Sequence, residues 1–352
     1  MTTTRTTRPR AARAARAALA AAGALFLALP VAPPAAAADT GEARIALSAG
    51  HVGDPWRRTS LEVWGAVAEA AVRDGTIGAA EAFTLDAPDP GLQAAQLLEL
   101  VEAGHDAITV DALSATALDG AIAEACARGV VVVAFHGTVT APCAWNVTID
   151  HRRLGRSQVN WLAARLPEGG RLLEVRGVGG TPAEIGIGAG VAASVEAHGT
   201  FEIAASVRGG RTREQTREAV AKALPGLGPV VGVVSHGVDG LGVAEAFAAA
   251  GREVPPIVLG NRHAELAWWL ERAEADGYET FSLAAPPGLS ALAFGVARRL
   301  LAGVPVPREV VAAPLVVERA ALEAALGLTD RDGVYDAPFP PEAVRGLAAS
   351  AD

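Results

Sequence analysis

Polar and aromatic side chains follow the apolar runs of this sequence, at the points where predicted strands end. Asp54 and Trp56 come shortly after the first run, Asp111 follows the third, and His136 follows the fourth. A carboxylate accepts hydrogen bonds, an imidazole both donates and accepts them, and an indole offers a flat apolar face. This set of groups is suited to holding a small polar molecule.

The second half of the chain repeats this arrangement with more nitrogen-bearing groups. His236 follows one apolar run, and Asn261 with Arg262 follows another. A guanidinium forms a planar fork that matches a carboxylate or two neighbouring hydroxyls. A histidine at such a position can be charged near neutral pH.

Each candidate also has a structural role that the sequence leaves open. Asp54 can cap a helix that has Pro55 at its first position. Trp56 can pack at the start of that helix, and Asp111 can cap the helix that follows it. The remaining candidates can be solvated loop residues.

Motifs for the common cofactors and catalytic centres are missing from the sequence. No Gly-x-Gly-x-x-Gly follows the first run, and no phosphate loop ending in Gly-Lys-Ser/Thr occurs. The seven histidines are scattered, and none is spaced as a zinc pair. Ser235 and His236 are adjacent on a predicted strand, so their side chains point to opposite faces and do not form a triad. We therefore expect no cofactor, no metal and no catalysis.

The elements that must position these residues are short apolar runs alternating with amphipathic helices. The runs are β-branched and nearly continuous, which is typical of parallel strands covered on both faces. The pattern predicts an α/β fold with doubly wound sheets. The predicted strands are Arg44–Ser48, Glu81–Leu85, Ala107–Val110, Val130–Phe135, Arg171–Val175, Phe201–Val207, Val230–Val234, Ile257–Gly260 and Thr280–Ala284. The predicted helices include Arg58–Arg73, Arg152–Leu166, Ala189–Ala197 and Leu289–Ala302.

The N-terminus is predicted to be a secretory signal peptide, residues 1–38. Five arginines without an acid precede the apolar run Ala17–Leu29, prolines follow it, and Ala36–Ala38 supplies small residues for cleavage. A membrane anchor is the alternative, but the run is short for a bilayer. We expect export to the periplasm and no membrane insertion after the signal is removed.

The charge balance argues against nucleic acid and anionic membrane surfaces as partners. The formal net charge is −9. Without the five arginines of the first 16 residues it would be more negative still. Phosphate-rich partners are bound by basic surfaces, so this chain is not expected to bind them.

Two cysteines, Cys126 and Cys143, are present. In an oxidising compartment they can pair. The predicted buried strand Val130–Phe135 lies between them and argues against pairing. The sequence leaves the question open, because it does not show the distance between the two residues.

Several short motifs, taken in order, resemble the ribose-type periplasmic binding proteins of sugar ABC transporters. The resemblance extends from Arg44 to about Val317. The motifs are Asp54-Pro55-Trp56, Gly104-His105-Asp106-Ala107-Ile108, Gly129-Val130-Val131-Val132-Val133, Ile149-Asp150 followed by Gly155, Gly177–Thr181 and Ala302-Gly303.

The resemblance implies two doubly wound parallel-sheet lobes, a hinge of three crossings and a ligand cleft between the lobes. The implied N-terminal lobe is 39–147 plus 285–312, and the implied C-terminal lobe with its tail is 148–284 plus 313–352. The implied crossings lie near Asn146–Thr148, Ala284–Pro286 and Ala312–Pro314. Helix Leu289–Ala302 would return to the first lobe.

The resemblance also implies roles for the candidates of the first lobe. Trp56 would stack on a sugar ring beside the polar Asp54, and Asp111 would contact the ligand. His136 stands where sugar binders of this family commonly have Asp. Trp145, near the first hinge, would wall the cleft.

The second lobe departs from the family pattern. Glu184 lies in a predicted loop where the family has an Arg-rich stretch, and Arg176 is a possible substitute. His236 replaces Asn or Asp, and Asn261 with Arg262 replaces an aromatic–Asp pair. The histidines and Arg262 favour an acidic sugar, a sugar phosphate or a polyol derivative over a neutral pentose.

The expected function is that of the substrate-binding component of an ABC transporter, acting as a monomer with a sugar-like ligand and a permease as partners. One alternative is a sensor that reports its ligand to a membrane histidine kinase. A transcription regulator shares the fold but needs a basic DNA-binding head, where this chain has an export signal. An enzyme such as a sugar isomerase or hydrolase would be established by turnover of a bound sugar.

Overall fold

The computed structural model describes residues 39–50, 52–177, 179–210, 212–237, 239–337 and 339. The predicted signal peptide, residues 1–38, lies outside the described residues, and so does most of the predicted Pro-rich segment Ala337–Pro341. Within the described ranges, no helix is both long and apolar enough to cross a membrane.

A six-stranded parallel sheet forms the first part of the fold, with the strand order β10-β5-β4-β3-β1-β2. Its strands are β1 (Arg44–Ala49), β2 (Ala79–Thr84), β3 (Ala107–Asp111), β4 (Val131–Phe135), β5 (Trp145–Ile149) and β10 (Glu309–Ala312). The helices that pack on it are α1 (Pro55–Arg73), α2 (Pro90–Glu102), α3 (Asp119–Ala127) and α9 (Leu289–Leu301). The predicted return of the Leu289 helix to this sheet is confirmed.

Both faces of this sheet are buried, which explains the continuous apolar runs. On strand β1, Ile45 and Leu47 face a cluster that includes Trp64 and Phe294. The intervening Ala46 faces a second cluster on the other side of the sheet. Alternating residues of one strand therefore serve two cores, as in a doubly wound sheet.

A second, three-stranded parallel sheet has the order β7-β6-β8. Its strands are β6 (Gly170–Arg176), β7 (Phe201–Arg208) and β8 (Gly232–Ser235), and β9 (Ser282–Ala284) pairs antiparallel with β11 (Leu315–Val317). The remaining helices are α4 (His151–Arg165), α5 (Pro182–His198), α6 (Arg213–Ala223), α7 (Gly240–Ala249), α8 (His263–Asp276) and α10 (Leu322–Gly327). The predicted strand Ile257–Gly260 forms only single bridges, from Ile257 to Val233 and from Leu259 to Ser282.

The predicted first crossing at Asn146–Thr148 lies inside strand β5. This strand pairs with β4 on one side and β10 on the other, so the connection to the second sheet begins only after Ile149. Its polar residues Asn146 and Thr148 interrupt the apolar run, which is why the sequence did not predict a strand here.

Helix α5 begins at Pro182, well before the predicted start at Ala189. Thr181 caps it by accepting a hydrogen bond from the Glu184 backbone N–H. The glycines of this segment lower intrinsic helix propensity, but they allow close packing on α4. A Cβ at Gly190 would lie 2.0 Å from the Arg152 carbonyl oxygen, so only glycine fits.

Cys126 and Cys143 form a disulfide, with their Cα atoms 6.4 Å apart. Cys126 lies at the end of α3 and Cys143 lies shortly before β5. The chain reverses after β4, so the strand between the two cysteines does not keep them apart.

Candidate functional site

The carboxyl ends of β1, β3 and β4 bring together a first cluster of residues, Asp54, Trp56, Arg57, Asp111 and His136. Asp54 caps α1 by accepting from the Arg57 backbone N–H at 3.0 Å. The Arg57 guanidinium donates to Asp54 at 2.7 Å and to Asp111 at 2.8 Å. His136 Nδ1 lies 3.3 Å from the other Asp111 oxygen. A doubly paired arginine therefore lies at the centre of the cluster.

Charge pairing determines the ionisation of this cluster. Burial raises the pKa of Asp111, but Arg57 and His136 outweigh it and lower the value to about 2. Burial also opposes the charge of Arg57, while Asp111 and Asp54 raise its pKa above the usual range. The pKa of Asp54, raised by burial, is lowered overall by Arg57. All three groups are charged at neutral pH.

His136 has a strained backbone. Its φ of 62° makes it the one non-glycine residue with positive φ within the described part of the chain. This conformation costs about 1–2 kcal/mol for a residue with a Cβ. Such strain is concentrated at functional sites, where surrounding contacts maintain it. Here the imidazole contacts Asp111, and its centroid lies 4.2 Å from that of the Trp56 ring.

Trp56 is held at its polar edge. Its indole N–H donates to the carbonyl of Ala285 at 2.8 Å, in the predicted second crossing. The ring therefore connects the start of α1 to the segment that leads into α9.

A second cluster, Glu174, Arg176, Glu184 and His236, lies at the carboxyl ends of β6 and β8. Arg176 Nε donates to Glu184 at 2.6 Å, and its NH1 lies 3.6 Å from Glu174. His236 Nε2 lies 3.0 Å from the other Glu174 oxygen. The composition matches that of the first cluster, with an arginine between two carboxylates and a histidine on one of them.

Glu184 lies on the first turn of α5, whereas the sequence pattern placed it in a loop. Its carboxylate accepts from Arg176 and from the Gly180 backbone N–H at 3.3 Å. Burial raises the pKa of Glu184, but these donors lower it overall. Glu184 thus orients Arg176, the residue that the sequence suggested as a substitute for the family arginine.

Arg262 lies at the N-terminus of α8. Its NH1 is 3.1 Å from Glu265 Oε2, and its Nε is 4.0 Å from Asp239 Oδ2. Burial lowers the pKa of Arg262, but these two carboxylates and Asp54 of the first cluster raise it overall. Asp54 therefore acts on Arg262 from the six-stranded sheet, so the two sides lie within electrostatic reach of each other.

His151, at the start of α4, lies near His136 of the first cluster and packs against α5. Burial and the neighbouring His136 lower its pKa to about 4, although Asp150 opposes them. A Cβ at Gly186 of α5 would lie 2.7 Å from the His151 Cβ. Further along α5, a Cβ at Gly188 would lie 2.9 Å from Arg176 NH2. Because of its lowered pKa, His151 is neutral at neutral pH, and it lies close enough to His136 to be affected by its charge.

Two other candidates have structural partners. The side-chain amide of Asn261 donates to the backbone carbonyl of Tyr335 at 2.6 Å, and the backbone N–H of Tyr335 donates to the backbone carbonyl of Asn261 at 2.7 Å. Trp145 lies at the amino end of β5, where its indole N–H donates to Val306 and Arg308 stacks 3.7 Å above its ring. The structure therefore does not place Trp145 with the cluster residues, contrary to the expectation that it walls the cleft.

Sequence reasoning missed three residues of this region, Arg57, Glu174 and His151. Arg57 directly follows the candidate Trp56, and Glu174 is the charged residue within the apolar run Leu172–Val175. Both signals were available in the sequence. His151 carried no such signal, because its proximity to His136 arises only from the tertiary packing.

No group of three or more His, Cys, Asp or Glu side chains in the described ranges is arranged to hold a metal ion.

A family model described as a periplasmic binding protein domain matches residues 45–305. The chain belongs to the periplasmic binding protein family. The predicted family and the predicted α/β fold with parallel sheets are confirmed. This family is made up of binding proteins, and nothing in the comparisons gives positive evidence of catalysis.

Solved structures of periplasmic binding proteins resemble this chain closely. An ABC transporter solute-binding protein from Thermobispora bispora is 26% identical, with a TM-score of 0.79 over 88% of this chain and 95% of that one. A Mycobacterium smegmatis protein in complex with β-D-fucofuranose is 22% identical, with a TM-score of 0.70 over 81% of this chain and 94% of that one. The second likeness shows the fold alone.

One curated relative is a xylitol-binding protein of Mycolicibacterium smegmatis. It is 29% identical over 173 residues, which are 48% of this chain and 50% of the relative. The chain thus matches about half the length of this curated relative.

Proposed function

We propose that this protein is the periplasmic substrate-binding component of an ABC transporter and binds a neutral sugar or polyol between two lobes. The observation that carries the proposal is the pair of matching clusters, each at the carboxyl ends of parallel strands. Ligands of open α/β sheets bind at these ends. Residues Asp54, Trp56, Asp111, His136, Glu184, His236, Asn261 and Arg262 remain the proposed ligand-binding set, with Arg57, Glu174, Arg176 and His151 added.

Of the ligands suggested by the sequence, an acidic sugar, a sugar phosphate or a polyol derivative, the charge pairing favours the neutral polyol class over the two anionic ones. Arg57 already has two carboxylate partners, and so has Arg176. An anionic ligand would have to compete with these carboxylates and would lie close to their negative charge. A polyol can instead donate to the carboxylate oxygens and accept from the guanidinium N–H groups. The name of the xylitol-binding relative supports the same ligand class.

Closure of the lobes would report ligand binding to a permease. A ligand that contacts both clusters binds the closed state more tightly than the open state, and this difference in affinity shifts the population. We propose the lobes implied by the family resemblance, with the first one continuing to Ile149 at the end of β5.

A thermal-shift screen followed by calorimetry tests this proposal. The panel contains xylitol, D-xylose, D-arabinose and D-fructose, with D-glucuronate and D-xylonate as the acidic comparators. A ligand present at 100 times its Kd stabilises the folded state by about 2.7 kcal/mol, which should raise Tm by several degrees. A clear preference for the acidic comparators would contradict the neutral-ligand proposal, and binding of nothing in the panel would contradict the ligand class.

A sensor role is the second candidate, because the fold also occurs in a fructose-binding periplasmic domain of a hybrid two-component system. That domain is 19% identical with a TM-score of 0.70, so the likeness concerns the fold alone. Uptake of the radiolabelled ligand distinguishes the roles. Deleting the gene should abolish uptake if the protein serves a transporter, and should leave uptake intact if it serves a kinase.

A further inference from the structure

The segment Gly333–Asp336, here called the strap, follows α10 and crosses from one sheet to the other. On the side of the second sheet, Val334 forms an antiparallel bridge with Arg262. The His263 N–H donates to the Gly333 carbonyl at 3.1 Å. Tyr335 and Asn261 exchange two hydrogen bonds of 2.6 and 2.7 Å. The strap is therefore bound firmly to the start of α8.

The next residue of the strap is bound on the other side. The Asp336 carboxylate lies against Gly288, the residue that precedes α9, since a Cβ at Gly288 would lie 3.0 Å from Asp336 Oδ2. Helix α9 packs on the six-stranded sheet. Phe339 packs at the same point, since a Cβ at Gly288 would lie 3.1 Å from its ring. Arg58 of α1 also donates to the carbonyl of Asp332, at 3.4 Å.

The two anchors of the strap are separated by a single peptide unit. Tyr335 and Asp336 are consecutive residues, and their Cα atoms are about 3.8 Å apart across a trans peptide. Asn261 and Gly288 can therefore separate only slightly while both anchors persist. Any motion that moves α8 away from α9 must break one of them.

We propose that the strap is a fourth tie between the lobes, which limits how far the cleft opens and holds Asn261 and Arg262 in position for the ligand. The inference rests on the two-lobe opening of the proposed function. The strap restrains the ligand-free protein, because in that state no ligand bridges the two clusters. Without the strap, widely open conformations become populated, and apparent affinity falls in proportion to the fraction of competent molecules.

Distance measurements between two spin labels test the strap in the full-length protein. The labels are placed on Glu99→Cys in α2 and Glu196→Cys in α5, two exposed positions on helices of different sheets. The two native cysteines are joined in the disulfide, so the introduced thiols label selectively. The distance distribution is recorded without ligand for the wild-type sequence and for Asp336→Ala.

The Asp336→Ala variant should broaden this distribution and shift it to longer distances by several ångströms. Asp336→Asn keeps the size of the side chain and an oxygen at the contact with Gly288, and should stay close to wild type. Asp330→Ala removes an acid from the same terminal region without touching the anchors, and it should change nothing. Circular dichroism checks that each variant is folded, and Asp336→Asn together with Phe339→Ala replaces Asp336→Ala if the latter is not.

Amide hydrogen exchange, combined with the distance measurement, gives the result that would contradict the proposed role of the strap. Faster exchange of the His263 and Tyr335 amides, whose hydrogen bonds hold the strap, in Asp336→Ala with an unchanged distance distribution would show that the strap is loosened and the lobes are not restrained. Because these measurements contain no ligand, a failed sugar panel would contradict the proposed function and leave the strap result valid. Normal sugar binding with unchanged distances would contradict the strap alone.

Discussion

The two clusters contain the same kinds of side chain in the same arrangement, an arginine between two carboxylates with a histidine on one of them. Arg57 lies between Asp54 and Asp111, and a histidine contacts the second carboxylate. In the second cluster, Arg176 takes the place of Arg57 between Glu184 and Glu174. Each cluster thus keeps an arginine charged among buried carboxylates.

The clusters differ in the group that they expose. The His136 side chain is 26% exposed and lies against Trp56, whereas the His236 side chain is completely buried against Glu174. For the arginines, the more exposed side chain is in the second cluster: that of Arg57 is 17% exposed and that of Arg176 is 30% exposed. The first cluster therefore exposes mainly aromatic surface, and the second exposes a guanidinium. This division suits a sugar or polyol, which has both apolar faces and hydroxyls.

Removing the central arginine should have the largest effect, and it should differ between the clusters. Arg57→Ala leaves the buried Asp111 with only a histidine partner, so we expect a loss of about 3–5 kcal/mol in the free energy of unfolding. Arg176→Ala should cost less, because Arg208 lies 3.6 Å from Glu184 and His236 still contacts Glu174. Urea unfolding measures both values. Equal losses would show that the clusters are energetically alike.

The acid stability of the first cluster should depend on Asp111. Its pKa is lowered from 3.8 to about 2, so ionised Asp111 stabilises the folded state above about pH 4. This contribution, about 2–3 kcal/mol, is lost as the pH falls towards 2. The difference in unfolding free energy between wild type and Asp111→Asn should therefore shrink between pH 4 and pH 2. A difference that stays constant with pH would contradict this role.

Truncating the half-buried aromatic ring of Trp56 should weaken ligand binding by a smaller amount. Trp56→Ala should weaken binding of a ligand found in the sugar panel by about 1–3 kcal/mol, the value of a buried aromatic contact. Trp268→Ala is the matched control, because the Trp268 ring packs against Tyr278 and Arg272, which belong to neither cluster. Calorimetry should show an unchanged Kd for the control. An unchanged Kd for Trp56→Ala would remove Trp56 from the site.

The smallest effect should come from the strained histidine. His136→Gly relieves the positive φ, worth about 1–2 kcal/mol, and this gain offsets the removal of the imidazole from Trp56 and Asp111. We expect a net change in unfolding free energy within about 1 kcal/mol. His236→Gly has no such strain to release and leaves Glu174 with one partner fewer, so it should be the more destabilising of the two. The reverse order in urea unfolding would contradict the contrast between the histidines.

The sequence by itself determined the α/β class, the family and most element positions. Periodicity predicted strands β1, β3 and β4 to within a residue or two, because continuous β-branched runs are unambiguous when both faces are buried. The same periodicity placed Asp54, Asp111, His136 and His236 at strand ends, where the structure finds them. These properties depend on local pattern, which a single chain displays directly.

Only the tertiary structure decided which groups are paired and which are exposed. The partners of Arg57, the role of Glu184 in orienting Arg176 and the disulfide all join residues on different elements. The assignment of β5 to the first sheet required β10 as a neighbour, more than 150 residues later in the chain. Asn261 is bonded to Tyr335, which no local pattern could indicate. Hydrogen bonds and ion pairs act over a few ångströms in space, and the sequence does not record that distance.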